Sequence, residues 1–165
     1  PPPADAMPSP DADTSAFVVT SDTITEGGAI PVDHSCDGAD TSPELAWTAW
    51  PGAASYAVML NDKTISFRHG AIYDIDEALL ALPADVDKVF EPTDVAGARQ
   101  SRNFAGGLGY AGPCPGSAHT YEFIVYALDI ATLPGTDNTS TANEIASILG
   151  DHTLATTRLT ATYTP

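Results

Sequence analysis

The chain has 165 residues, of which 43% are hydrophobic, and this length and composition suit one globular domain with a sizeable core. Its 22 acidic and six basic residues give a net charge of −16. That charge argues against binding to nucleic acid or to an anionic membrane surface, since both attract basic proteins. No apolar run approaches the roughly 20 residues of a transmembrane helix.

Residues 1–15 are rich in proline, aspartate and alanine and contain almost nothing that a core would bury. This composition predicts a disordered tail or tether, followed by one domain over residues 16–165. The chain also begins without a methionine and without an apolar signal segment. We therefore expect it to be a mature or trimmed product.

Beyond the tail, short segments with β propensity alternate with turn signals, as in an all-β domain. The segment 121–130 is almost continuously apolar, which predicts a central strand that is covered on both faces. The predicted strands are Phe17–Thr20, Ala29–Pro31, Leu45–Trp50, Ser55–Asn61, His69–Ile75, Tyr121–Ile130 and Leu154–Tyr163.

Two short helices are predicted beside these strands. One lies near Asp76–Leu82 and is stopped by Pro83; the other covers Ala142–Leu149 and ends before Gly150. A long loop rich in glycine and proline covers residues 92–116, and loops of this length inside a compact domain are usually functional. The fold class is therefore all-β, with two packed antiparallel sheets and a few short peripheral helices.

Residues 107–112 match the pattern G-x-G-x-x-G of dinucleotide-binding sites. That site requires the glycines to open a helix directly after a strand, so that the helix N-terminus faces the pyrophosphate. Here the sequence Pro-Cys-Pro-Gly follows at 113–116, and it cannot begin a helix in that way. We interpret these glycines as loop residues, and no cofactor is predicted.

Four side chains that suit a small anion are predicted to meet at one end of the sheet. Asp62 ends one strand and His69 begins the next, so their short connection brings them together. His119 and Tyr121 are two residues apart at the start of the central strand and project from the same face. Imidazole and phenol groups can donate to phosphate oxygens, and a carboxylate can orient an imidazole or pair with a ligand amine.

The residues alone leave other interpretations of this group open. A histidine at a strand end is often an ordinary polar residue, and Tyr121 has the character of a core residue. Two histidines with one carboxylate also form a known ligand set for zinc or non-haem iron, although no H-x-x-x-H or H-x-H motif accompanies them. A serine hydrolase is not indicated, because the chain lacks the G-x-S-x-G elbow.

The two cysteines, Cys36 and Cys114, both lie in turn-forming sequences. In the cytosol they would be free thiols, and outside it they would form one disulfide. The tail-like N-terminal segment favours the second interpretation. We therefore predict a Cys36–Cys114 disulfide and an extracytoplasmic protein in the periplasm, on the cell surface or secreted.

Many short motifs are dispersed along the chain, and their order is informative. They are Gly28–Pro31, Cys36–Gly38, Thr41–Trp47, Ser55–Val58, His69, Tyr73–Ile75, Leu82–Pro83, Tyr110–Pro115, His119–Tyr121, Tyr126–Asp129 and Gly150–Ala155. With these motifs the chain resembles the phosphatidylethanolamine-binding protein family, and in particular its bacterial Raf-kinase-inhibitor-like branch. The resemblance extends from about residue 17 to residue 163.

The resemblance implies a fold of two antiparallel sheets with a few peripheral helices. It also implies a small pocket that takes phosphate or phosphorylethanolamine-like groups. By position, its lining corresponds to Asp62, His69, Pro113, His119 and Tyr121.

Two departures from the family pattern concern this pocket. Lys63 and Thr64 follow Asp62 where a second aspartate is usual, and Gly70 follows His69 where an aromatic residue is expected. These changes predict a more open pocket with an altered ligand preference.

The sequence thus predicts a non-enzymatic protein that binds a small anion or a phospholipid headgroup, without a metal. The first alternative is a protein–protein inhibitor of a kinase or protease that uses the surface of loop 92–116. The second is a metal-dependent hydrolase built on the same two histidines and Asp62. A homodimer is compatible with the sequence. For the inhibitor alternative, the sequence does not identify the kinase or protease partner.

Overall fold

The computed structural model describes residues 16–165, and the predicted tail at 1–15 lies outside the described residues. These residues form two antiparallel sheets, one α-helix and a short 3-10 helix at Val32–His34. The strands are β1 (Val19–Thr20), β2 (Leu45–Trp47), β3 (Ser55–Asp62), β4 (Phe67–Asp76), β5 (Ala81–Leu82), β6 (Arg99–Gln100), β7 (His119–Leu128) and β8 (Thr153–Tyr163). The helix α1 covers Ala142–His152. The all-β fold class and its two antiparallel sheets are thereby confirmed.

The larger sheet has the strand order β6-β4-β3-β7-β8, and the smaller one has the order β1-β2-β5. The central strands of the larger sheet, β3 and β7, are buried on both faces, as their apolar sequences predict. On β3, Val58 and Leu60 face the core between the sheets, whereas Ala57 and Met59 belong to a second core cluster. That second cluster includes Ile145 of α1, so the helix covers the outer face of the larger sheet.

The predicted helix at 142–149 is confirmed and continues to His152. A capping box begins it: the Thr141 side chain accepts from the backbone N–H of Glu144, and the Glu144 carboxylate accepts from the N–H of Thr141. Ile145 and Leu149, four residues apart on one face, are fully buried against the sheet. Local signals and tertiary packing agree here.

The predicted helix near Asp76–Leu82 is wrong. The Asp76 side chain instead accepts from the N–H of Ala78 at 2.8 Å, which closes a turn. Beyond the turn, Leu82 pairs with Leu45 as part of β5. Sheet hydrogen bonds to a strand far away in sequence therefore override the local helical propensity of this segment.

Two other segments differ from the predicted strands. The segment at 29–31 forms one isolated bridge, between Ala29 and Thr162, rather than a strand. Within the loop 92–116, Arg99 and Gln100 form β6 against β4. Both segments have too short an apolar pattern to be assigned from local sequence alone.

The predicted disulfide is present between Cys36 and Cys114, across 78 positions of the chain. It fastens the loop that follows the 3-10 helix to the end of loop 92–116. The N–H of Cys36 also donates to the carbonyl oxygen of Pro113 at 3.0 Å. Across the described residues 16–165, no helix has both the length and the apolar character needed to cross a bilayer.

Candidate functional site

The structure brings Asp62, His69, His119 and Tyr121 together at one end of the larger sheet. Asp62 is the last residue of β3 and pairs directly with Tyr121 of β7. His119 begins β7, and His69 lies near the start of β4 on the other side of β3. The central position of β3 thus joins residues that are up to 59 positions apart in the sequence.

The Asp62 carboxylate orients His119. Its Oδ2 atom accepts from Nδ1 of His119 at 2.6 Å, while its Oδ1 atom accepts from the backbone N–H groups of Thr64 and Ile65 at 2.9 and 3.3 Å. Asp62 is only 2% exposed. Both carboxylate oxygens are therefore engaged within the chain, and the Nε2 edge of His119 is the one left for a ligand.

The turn after β3 supports this pair. Thr64, which stands near the second aspartate of the family pattern, accepts through Oγ1 from the N–H of Thr120 at 2.9 Å. The N–H of Lys63 also donates to the carbonyl oxygen of Thr120 at 2.8 Å. These bonds fix the start of β7, so Thr64 has a structural role in the turn.

His69 is buried and anchored through one ring nitrogen. Its Nδ1 atom lies 3.0 Å from the carbonyl oxygen of Ala111 in the long loop. Because a carbonyl only accepts, Nδ1 carries a proton. Burial lowers the pKa of His69, although the Ala111 carbonyl and the Asp62 charge act in the opposite direction. At pH 7 the ring is therefore neutral, and its Nε2 atom is an acceptor.

Tyr121 supplies a phenol that stays protonated. Burial and the nearby Asp62 carboxylate raise its pKa well above the usual value. Its ring packs edge-on to that of His69, with 5.5 Å between the ring centroids, and lies 6.4 Å from that of His119. The phenol is thus a permanent hydrogen-bond donor or acceptor between the two imidazoles.

Pro113, the fifth predicted residue, is buried in the wall of the loop. It follows Ala111 and Gly112, whose N–H donates to Oδ1 of Asp40 at 2.7 Å. A side chain at Gly112 would place its Cβ 2.0 Å from the carbonyl oxygen of His34, so this close approach requires glycine. The disulfide and these contacts hold the Ala111 carbonyl against His69.

Sequence reasoning missed an aromatic rim beside His69, formed by Phe67 and Phe104. Phe104, 45% exposed, places its ring 4.6 Å from that of His69, and Phe67, 41% exposed, places its ring 5.6 Å from the same imidazole. A Cβ at Gly70 would come within 2.9 Å of the carbonyl oxygen of Gly109. The absence of a side chain at Gly70 therefore lets loop 92–116 approach β4 closely, and this loop carries Phe104. Phe67 was detectable in the sequence, because residues two apart on a strand share a face.

The metal alternative receives no support from this geometry. Within residues 16–165, no three histidine, cysteine, aspartate or glutamate side chains are grouped so that they could hold a metal ion. The remaining histidines are engaged elsewhere. His34 contacts the carbonyl oxygen of Thr41, and His152 contacts Oδ1 of Asp129, both at 2.9 Å.

The chain is a small β protein of two antiparallel sheets, with histidine, aspartate and tyrosine side chains together at one end of the larger sheet. A model of the phosphatidylethanolamine-binding protein family matches residues 20–164. The chain belongs to the phosphatidylethanolamine-binding protein family, as its motifs indicated.

Individual relatives agree with this assignment. YbcL of Escherichia coli is 31% identical over 92% of this chain and 90% of its own length, and a UPF0098 protein of Aquifex aeolicus is 36% identical over 70% of each chain. The crystal structure of YbcL, described as a new member of the mammalian PEBP family, superposes with a TM-score of 0.83 and covers 90% of this chain and 98% of its own. A Chlamydia trachomatis homologue, CT736, is 26% identical with a TM-score of 0.75, over 91% of this chain and 98% of that one.

Proposed function

We propose that this protein binds a small anion of the phosphoryl type at His69, His119 and Tyr121, without catalysing a reaction. The observation that carries the proposal is that both imidazoles are anchored through Nδ1, to Asp62 and to the Ala111 carbonyl. Anchoring through Nδ1 directs Nε2 of each ring away from its protein partner. Two preoriented nitrogens and a protonated phenol then suit one tetrahedral oxyanion.

The protonation states narrow the ligand class. Neutral His69 offers an acceptor at Nε2, whereas the Tyr121 phenol offers a donor. A monoprotonated phosphomonoester supplies both the oxygens and the matching O–H group, and phosphorylethanolamine adds an amine. Free phosphorylethanolamine is such a monoester, whereas the headgroup of phosphatidylethanolamine is a phosphodiester that shares the anionic oxygens and the amine but lacks the O–H group. Vesicles with and without that lipid distinguish the two sources.

Binding is expected to weaken as the pH rises from 5 to 8. The protonated imidazole binds an anion more strongly than the neutral one, so affinity is gained by protonation and lost as His69 loses its proton. Because the pKa of His69 is lowered, its Nε2 turns from acceptor to donor only below its ordinary pKa of about 6.5, where it gains affinity for an anion without an O–H group, such as sulfate. We expect the affinity for such an anion to fall by at most about tenfold for each pH unit above the pKa of His69.

Calorimetric titration of O-phosphorylethanolamine at pH 6 and pH 8 tests the proposal. Inorganic sulfate, whose own charge is constant over this range, separates titration of the protein from titration of the ligand. An affinity for sulfate that does not change between pH 5 and pH 8 would count against the histidine mechanism.

A protein partner is the second candidate, and the aromatic rim favours it. Phe67 and Phe104 are exposed beside the site, as is Ile65 at 59%, and such side chains are typical anchors of interfaces. In this version a partner covers the mouth of the site and a bound anion modulates the contact. A partner whose binding is lost with Phe104→Ser but not with a histidine variant would support it.

An extracytoplasmic location forms part of the proposal. The disulfide supports it, because such bonds persist in oxidising compartments. A relative in Mycobacterium tuberculosis, LppC, is named as a lipoprotein and is 30% identical over 79% of this chain. A reporter fusion that is active only outside the cytoplasm tests this location.

A further inference from the structure

The outer face of the larger sheet, which α1 covers in part, carries a second group of polar side chains beyond the helix. Asn61 of β3 lies between Arg68 of β4 and Glu122 of β7, which are its direct partners across the two strand pairs. Asp62 and Tyr121, the neighbouring residues, project from the opposite face toward the candidate site. This second group therefore faces away from Tyr121, while Asp62, at the end of β3, belongs to the first site and also borders the second group.

Positive charge is concentrated here against the sign of the whole chain. Lys63, Arg68 and Arg158, which we call the outer basic cluster, are three of only six basic residues in a chain of net charge −16. Lys63 and Arg158 both contact the same oxygen, Oε1 of Glu122, at 3.5 and 3.3 Å. Two cations thus share one buried carboxylate.

Arg68 adds a charge that no carboxylate balances. Its Nη1 atom donates to Oδ1 of Asn143 in the first turn of α1 at 3.1 Å, and no carboxylate within residues 16–165 makes an ion pair with it. Burial raises the pKa of the Tyr126 phenol, while the charges of Arg68 and Arg158 act to lower it. Both guanidinium groups therefore lie near one phenol. Two carboxylates, Glu122 and Asp62, border the same region, so the three cations leave about one uncompensated positive charge.

Asn61 supplies an acceptor that the protein does not use. Its side-chain oxygen is withdrawn from solvent, yet it has no hydrogen-bond partner among the described residues. A buried acceptor without a partner is destabilising, and such groups are uncommon in folded proteins. Because the side chain is partly exposed and lines a cavity, a rotation about χ2 turns this oxygen toward a bound molecule.

The cavity has a volume of about 260 Å³ and is lined by Asn61, Asp62, Lys63, Ser66, Arg68 and Glu122. We infer that it is a second anion site, for a small dianion of the phosphate type that also carries an O–H or N–H donor. Arg68 and Lys63 bind the anionic oxygens, and the ligand donor bonds to the Asn61 oxygen. A planar guanidinium group matches the oxygens of such an anion.

Inorganic phosphate at pH 8 is the probe that tests this site. It is then a dianion with one O–H group, and the arginines remain charged. In ¹⁵N-labelled protein, we expect saturable shifts of the Arg68 side-chain N–H and the Asn61 side-chain amide. Sulfate, a dianion without a donor, is expected to bind several-fold more weakly because it leaves the Asn61 oxygen unbonded.

Arg68→Gln is expected to weaken phosphate binding at least about tenfold, the lower range for a lost charged hydrogen bond. Arg102→Gln is the matched control, since it removes the same charge from an exposed arginine that bonds carbonyl oxygens of Asn138 and Gly106. His119→Ala is expected to leave these shifts unchanged. Shifts confined to residues around His119, or equal and non-saturable shifts in wild type and Arg68→Gln, overturn the second site without touching the first.

Asn61→Leu gives an independent readout. Removing the unbonded acceptor is expected to raise the midpoint of urea unfolding in phosphate-free buffer. Added phosphate should then stabilise the variant less than it stabilises the wild type, since a ligand stabilises the native state in proportion to its affinity. A lower midpoint without phosphate, together with an unchanged response to it, would show that Asn61 is an ordinary strand residue.

Discussion

Replacing His119 by alanine is expected to lower the affinity for O-phosphorylethanolamine at pH 6 by about 10- to 150-fold. This range corresponds to the loss of one charged hydrogen bond worth about 1.5 to 3 kcal/mol. The imidazole is held by Asp62 at 2.6 Å and therefore binds the ligand without first losing rotational freedom. The variant also leaves Asp62 without its partner, but the two backbone N–H groups on Oδ1 remain.

The chain offers a closely matched control in His152. It too bonds a carboxylate through Nδ1, Oδ1 of Asp129 at 2.9 Å, but it lies at the end of α1. His152→Ala removes the same side chain and the same kind of ion pair, so it is expected to retain the wild-type affinity. Equal weakening in both variants would point to a general electrostatic effect. If the wild type shows no measurable binding of O-phosphorylethanolamine, binding of a protein partner becomes the leading candidate function.

Local sequence was sufficient where local and long-range interactions favour the same structure. The capping box at Thr141 and Glu144 begins α1, and the apolar run at 121–130 forms the central strand β7. At 76–82 the two disagree, because the backbone of Leu82 is more stable when paired with Leu45 than in an isolated turn of helix. A short segment has too few internal hydrogen bonds to resist such pairing.

In the candidate site too, features set by local sequence could be predicted, whereas those set by long-range contacts could not. The four side chains were identifiable because strand ends and i, i+2 spacing determine where they project. The anchor of His69 was not identifiable, since it is the backbone carbonyl of Ala111, 42 residues away, and a carbonyl has no signature in the sequence. The consequence of Gly70 was also misjudged, because the space that it leaves is filled by the backbone at Gly109.

Charge counting shows the limit of composition as a guide to binding. A net charge of −16 argues against nucleic acid and anionic membrane surfaces, yet three of the six cations gather on one sheet face around Glu122. Over distances shorter than the Debye length of about 8 Å, the local arrangement decides the potential that a small ligand meets. Strand register, rather than total charge, thus determines where positive charge is concentrated on this protein.

Replacing both Cys36 and Cys114 by serine is expected to lower the free energy of unfolding by about 4 to 5 kcal/mol. The disulfide closes a span of 78 positions, and a loop of this size removes that much conformational entropy from the unfolded chain. Urea unfolding at pH 7, followed by tryptophan fluorescence, measures the difference. A decrease below about 1 kcal/mol would mean that the unfolded chain is already restricted without the bridge.

The same double variant also tests whether the bridge supports the candidate site. The disulfide and the bond from Cys36 N–H to the Pro113 carbonyl hold the wall from which Ala111 contacts His69. Loosening this wall releases Nδ1 of His69, so we expect weaker O-phosphorylethanolamine binding under conditions where the variant is still folded. Ser35→Ala is the comparison, because Ser35 adjoins Cys36 and bonds the Tyr163 hydroxyl at 2.8 Å while leaving the bridge intact. If the double variant binds as tightly as Ser35→Ala and the wild type, then the bridge stabilises the fold alone and His69 keeps its anchor without it.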